Sequence, residues 1–135
     1  MELVKGSRTR VYSRADVVSA RRMARTVAEA VGLTPPDRTL VTAAVSELAR
    51  NIIHYAGAGE ILVGATEEGN RRGILVQARD RGPGIADVPG MMEDGFSVSR
   101  HLGLGLPGVR RMMDDFQIHS RIGKGTIVTV KKWRR

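Results

Sequence analysis

The stretch SRHLGLGLPGVRR, residues 99–111, decides how the chain is read. Gly103, Gly105 and Gly108 spell G-x-G-x-x-G. In a dinucleotide-binding unit those glycines directly follow a strand and open a helix, and a ribose-binding acid lies about 20 residues further on. Here they follow a connection rich in glycine, proline and polar residues that runs from Gly82 to Gly103. A short helix comes next (LPGVRRMMDDF, 106–116) and then a hairpin, QIHSRIG (117–123) and TIVTVKKW (126–133) around GKG. This context excludes the dinucleotide fold. It keeps the physical use of glycine, because bare backbone amides at a helix N-terminus can approach phosphate closely. A tight turn before a helix needs the same residues, so the motif alone leaves both uses open.

Upstream, SRAD (13–16) carries a capping box, with Ser13 as N-cap and Asp16 at the third position. Val17, Ala20, Met23, Ala24, Val27, Ala28 and Val31 then recur at helical spacing, and Gly32 closes the helix. TPPD (34–37) repeats the device, with Thr34 as cap and Asp37 completing a box. It opens a helix through Tyr55 whose buried stripe is Val41, Ala44, Val45, Leu48 and Ile52. Two strands follow, EILVGATEEG (60–69) and GILVQARD (73–80), joined through GNRRG, while ELVKGSRTRVY (2–12) has the character of an edge strand. The order β-α-α-β-β-loop-α-β-β predicts an α+β fold. Its form is a two-layer sandwich, a mixed, mostly antiparallel sheet covered on one face by helices.

The 135 residues, 41% of them hydrophobic, suit one domain, 1–135. No apolar run approaches the roughly 20 residues that cross a bilayer, and the charged opening MELVKGSRTR is not expected to be read as a secretory leader. A cytoplasmic protein with no membrane partner is expected. Cysteine is absent, and His54, His101 and His119 lack metal-binding spacing, so any metal would take oxygen ligands. A net charge of +8 fits a nucleic acid, an acidic protein or a phosphorylated ligand. The basic residues are scattered apart from KKWRR (131–135), and only five residues are aromatic, which argues against nucleic acid.

Two side chains stand out. Ile74, Val76, Ala78 and Asp80 share one strand parity, so a carboxylate ends a core-facing row and needs a partner there. In SELARNIIHYA (46–56), Glu47 and Asn51 lie side by side at i, i+4, and a mid-helix Asn suggests a task for its amide oxygen.

In order, SELARNIIHYA, DRGPGI (80–85), the glycine run and GKGT (123–126) resemble the N, G1, G2 and G3 boxes of the GHKL superfamily of Bergerat-fold ATP-binding domains, across residues 40–130. The resemblance implies that Asn51 holds Mg²⁺ against the phosphates of ATP and that Asp80 accepts from the adenine amino group. It implies that Gly82 and Gly84 let the backbone pass the base, and that Thr126 supports the adenine contact. Gly103, Gly105 and Gly108 would line the triphosphate beneath a short lid, residues 86–102. Glu47 matches the acid that orients or deprotonates the attacking group, with an ordinary solvated helix carboxylate as the lesser alternative. Arg100 is a candidate for the γ-phosphate or simply a loop arginine.

Length favours the small bacterial anti-sigma-factor-type serine/threonine kinases, and GLGLPGVRRMMDDF with GTIVTVKKWRR looks most like the stressosome switch kinases among them. That likeness implies STAS-domain proteins as substrates and a PP2C-type phosphatase as the second partner. A non-catalytic ATP-gated binding module is the alternative.

Overall fold

The computed structural model describes residues 6–92 and 105–135. Strand β1 (Gly6–Val11) leads into α1 (Arg14–Val31) and α2 (Pro35–Ala56). The hairpin β2 (Gly59–Glu68) and β3 (Arg71–Asp80) follows, then a one-turn helix α3 (Val88–Met91). Helix α4 (Gly105–Met112) and the hairpin β4 (Asp115–Arg121) and β5 (Gly125–Trp133) complete the chain.

Local chemistry sets these boundaries. The Asp16 carboxylate accepts from the amides of Tyr12 (3.0 Å) and Ser13 (3.1 Å), so the first capping box forms. Gly32 ends α1 at φ 87°, where a side chain would be strained. At α2 the Thr34 hydroxyl accepts the Asp37 amide at 3.3 Å. The expected reciprocal arm of that box is replaced. The Asp37 carboxylate faces Lys132 Nζ (3.9 Å) and Arg135 Nε (3.5 Å), because the C-terminal residues bring two cations to this helix start.

The five strands run in the order β1-β2-β3-β5-β4, and all four pairings are antiparallel, so the sheet is not mixed. One face is the core. Ile61, Val63, Ile74, Val76, Val128 and Val130 pack there against Ala20, Ala24, Ala28 and Val31 of α1 and Val41, Ala44, Val45, Leu48 and Ile52 of α2. Each fully buried branched side chain contributes about 1.5–3 kcal/mol. The alanines of α1 contribute less and let the helix lie close to the sheet. Met23 and Val27 are only partly buried at the margin of this stripe.

KKWRR is largely structural. Lys131 pairs with Glu68, and the indole N–H of Trp133 donates to Asp115 at 2.9 Å. Buried Lys132 donates to the Met112 carbonyl at 2.8 Å, and Arg135 reaches Asp114 at 2.7 Å. The cluster therefore fastens the last strand to the end of α4 instead of presenting a free basic tail.

Candidate functional site

Alternation along β3 carries Asp80 to the end of the row Ile74, Val76, Ala78, on the helix-facing side of the sheet. In register beside it is Thr126 of β5, and beside Thr126 is Ser120 of β4. Ser120 joins the parts. Its hydroxyl lies 2.7 Å from that of Thr126 and accepts the Ile85 amide at 2.7 Å. The loop after Asp80 is thus pinned to the far hairpin, and the Gly123 amide adds a bond to the Pro83 carbonyl at 2.8 Å. Gly84 sits at φ +80° against the Arg121 carbonyl, leaving no room for a Cβ. Gly82 passes Ala56 so closely that a Cβ would lie 2.6 Å from the alanine methyl.

Together these elements enclose a cavity of about 480 Å³ between α2, the ends of β3 and β5, and the loop from Pro83 to Gly90. Its walls are mainly apolar, with Leu48, Ile52, Ile85, Leu106 and Val128 among them, and Asp80, Thr126 and Asn51 supply polar groups. The Asp80 carboxylate accepts the Gly82 amide at 2.9 Å. Burial is the largest influence on it and raises its pKa, against the smaller downward pull of the Gly82 and Thr126 amides. A carboxylate offers about four lone-pair sites, so two amides leave it able to accept from a guest in the cavity.

Glu47 and Asn51 sit in different settings. Asn51 lines the cavity. Glu47 does not, and it is no solvated carboxylate: with 13% of its side chain exposed, it accepts from Arg50 at 3.2 Å and from the Gly105 amide at 3.4 Å. It thereby holds the start of α4, where Gly105 has φ 62°. Gly108 is buried within α4 and does not line the cavity. Arg100, Gly103 and residues 93–102 of the expected lid lie outside the described residues. Within 86–92, Asp87 caps α3 by accepting the Gly90 amide at 3.0 Å, and both border the cavity.

The sequence motifs do not single out Ser120, Tyr55, Ile85 or Asp87. Tyr55 could have been found, one helical turn after Asn51. Ser120 reaches the site only through strand pairing.

A half-buried acid and a threonine close one end of an apolar cavity, with an asparagine one wall away, on a two-layer α+β frame. The family model of the histidine kinase-like ATPase domain matches residues 12–132. The chain is also 45% identical over 126 residues to the serine/threonine-protein kinase RsbT of Bacillus subtilis (strain 168), covering 93% of this chain and 95% of that protein. The chain therefore belongs to the histidine kinase-like ATPase domain family, in its serine/threonine-protein kinase branch. It is 34% identical over 99 residues to the anti-sigma F factor of Thermoanaerobacter sp. (strain X514), covering 69% of this chain and 68% of that protein. The fold is shared with the Acinetobacter baumannii histidine kinase AdeS at TM-score 0.55 and 19% identity, over 98% of this chain and 70% of that one.

Proposed function

We propose that the protein transfers the γ-phosphoryl group of ATP to a serine or threonine hydroxyl of a STAS-domain protein in the cytoplasm. After transfer it leaves that partner for a PP2C-type phosphatase. The observation that carries the nucleotide part is the Asp80–Thr126 pair at the end of the 480 Å³ cavity: a carboxylate acceptor beside apolar walls suits the amino edge and faces of adenine. With adenine there, Asn51 and the start of α4 lie toward the phosphates, and the α4 N-terminus adds favourable partial charge.

Mg²⁺ fits this donor set in one way. Among the described residues no group of three or more His, Cys, Asp or Glu side chains could hold a cation. A single amide oxygen, Asn51, suits an ion that arrives on phosphate oxygens and keeps several waters. Bound there, Mg²⁺ would neutralise charge developing on the phosphates.

In the transfer the acceptor hydroxyl oxygen bonds to the γ-phosphorus, the β–γ bridging bond breaks, and ADP leaves with that bond's electron pair. The hydroxyl proton passes to the Glu47 carboxylate, which must release the Gly105 amide or share an oxygen to take it. RsbT and the anti-sigma F factor are named for actions on proteins, which supports a protein acceptor.

The test is transfer of label from γ-labelled Mg-ATP to purified STAS-domain candidates. Phosphoserine or phosphothreonine should appear with wild type, and Glu47→Ala should bind ATP yet transfer at least about a hundredfold more slowly, the low end of a general-base effect. ATP binding with no transfer to any candidate would leave the ATP-gated binding module as the better reading.

A further inference from the structure

The sheet face turned away from the helices carries a second concavity, about 980 Å³, across the end of the sheet that also bears Asp80 and Thr126. Strand register explains its composition. Arg10, Glu60, Arg79, Ile127 and His119 are cross-strand neighbours in one row spanning all five strands. Arg8 and Arg121 share that face two residues along their strands, and Arg81 and Lys124 rim the end. Six permanent cations therefore line one groove: Arg8, Arg10, Arg79, Arg81, Arg121 and Lys124.

Carboxylate compensation is small. Glu60 is shared between Arg8 (3.8 Å) and Arg79 (3.7 Å), and Asp80 turns its carboxylate to the opposite side of the sheet. Among the described residues Arg81, Arg121 and Lys124 enter no ion pair. The Nε of Arg79 is buried without a hydrogen-bond partner, although its Nη2 is held by Gln77 at 2.8 Å. Like charges gathered this closely repel one another, which costs stability unless an anionic partner offsets it.

We infer that this groove docks an acidic segment of a protein partner, on the side of the sheet opposite the nucleotide cavity. The groove has about twice the volume of that cavity, too broad for one small anion. Among the described residues His119 is the one aromatic ring that lines it, with no Phe, Tyr or Trp on which successive bases could stack, and six cations favour a carboxylate-rich peptide over single-stranded nucleic acid. Arginine forks match carboxylates in a bidentate geometry. The back-to-back placement has a consequence. Arg81 directly follows Asp80, and Gly125 packs on the Asp80 carbonyl, so a segment seated in the groove bears on the backbone that aims Asp80 into the cavity. The choice of a protein partner rests on the kinase reading above; the groove itself does not.

The experiment measures binding of a fluorescein-labelled twelve-residue Glu/Asp-rich peptide to the full chain by anisotropy, beside its Gln/Asn counterpart, a single-stranded oligonucleotide and anionic vesicles. Arg8→Glu/Arg121→Glu should weaken the acidic peptide by at least about tenfold. The control Arg22→Glu/Arg25→Glu on exposed α1 should weaken it less than about threefold. Thermal melts verify that both variants are folded. Equal losses in the two variants, preference for the oligonucleotide or vesicles, or self-association through this face by sedimentation would each overturn the inference. ATP affinity is measured on the same samples. If wild type does not bind ATP, the functional reading falls whether or not the peptide binds; if ATP binds and the groove variant holds the peptide like wild type, only the docking inference falls.

Discussion

Burial raises the pKa of Asp80 against the amides of Gly82 and Thr126, so the folded protein resists ionising this group more than the unfolded chain does. A carboxyl whose folded pKa is raised contributes stability that is fully present below its unfolded pKa and is lost as pH rises through its folded pKa. Once ionised, Asp80 therefore opposes folding, and in the proposed function it serves the ligand instead. Asp80→Asn keeps an oxygen for the Gly82 amide but, in the proposed binding mode, turns a donor toward the adenine amino group. The unliganded variant should melt no lower than wild type at pH 7, and its advantage should vanish as pH falls toward 4. ATP affinity should drop by about 1–3 kcal/mol in calorimetry. A variant that is less stable at pH 7 and binds ATP normally would contradict both halves. Asp80 was legible because strand alternation alone puts a charge at the end of an apolar row, and Asn51 because its amide is out of place in mid-helix. Ser120 was not, since its partners Thr126 and Ile85 meet it only after β4, β5 and the loop have assembled. Glu47 was legible as a position but not in its setting, because the Gly105 amide it accepts is 58 residues away in sequence.

Helices announced themselves through Ser13–Asp16 and Thr34, and strands through alternation, so every main element stood in the sequence. Helix α3 did not: a single turn is too short for any period, and only the Asp87 cap marks it. That the described strands pair only antiparallel was equally hidden, because it depends on how β3 and β5 meet with α3, α4 and β4 between them in the chain. That meeting is secured at the loop after β3, where Gly84 holds φ +80° against the Arg121 carbonyl. A Cβ there is strained by the backbone and has no space. Gly84→Ala should therefore lower unfolding free energy by more than about 1 kcal/mol in urea titration. Because the displaced loop also walls the cavity, ATP affinity should fall in the molecules that remain folded. Gly69→Ala, at φ +58° in the open β2–β3 turn, is the matched control: it shares the backbone strain without the clash and should leave ATP affinity unchanged. Equal effects of the two on affinity would remove the loop from the site.

Charge is distributed over the whole molecule in two ways, and the difference decides what a mutation does. In the outer groove six cations share one carboxylate, Glu60, among the described residues, whereas at the C-terminus they are spent on structure. Lys132 is 5% exposed, donates to the Met112 carbonyl at the end of α4, and lies 3.5 Å from Asp114 and 3.9 Å from Asp37 at the start of α2. One ammonium thus joins both helices to β5. Burial alone would raise the pKa of Asp114, but the Trp133 amide, Arg135 and Lys132 together outweigh it and hold it low. The sign is opposite to that of Asp80: the contribution is present above the unfolded pKa and is lost as pH falls through the folded value, below the ordinary 3.8. Lys132→Met fills the space but leaves a carbonyl and two largely buried carboxylates to Arg135, whose side chain is 58% exposed. The variant should lose about 3–5 kcal/mol at pH 7, the scale for breaking a buried pair by removing one partner. Arg135→Ala should cost clearly less than Lys132→Met, as for exposed ion pairs. In acid the gap between wild type and Lys132→Met should narrow, because protonated Asp114 no longer needs the ammonium. Urea unfolding at pH 7 and near pH 3 reads all of this. A Lys132→Met variant within about 1 kcal/mol of wild type at pH 7, or a gap that widens in acid, would mean that the buried ammonium does not hold the two helix ends to the sheet.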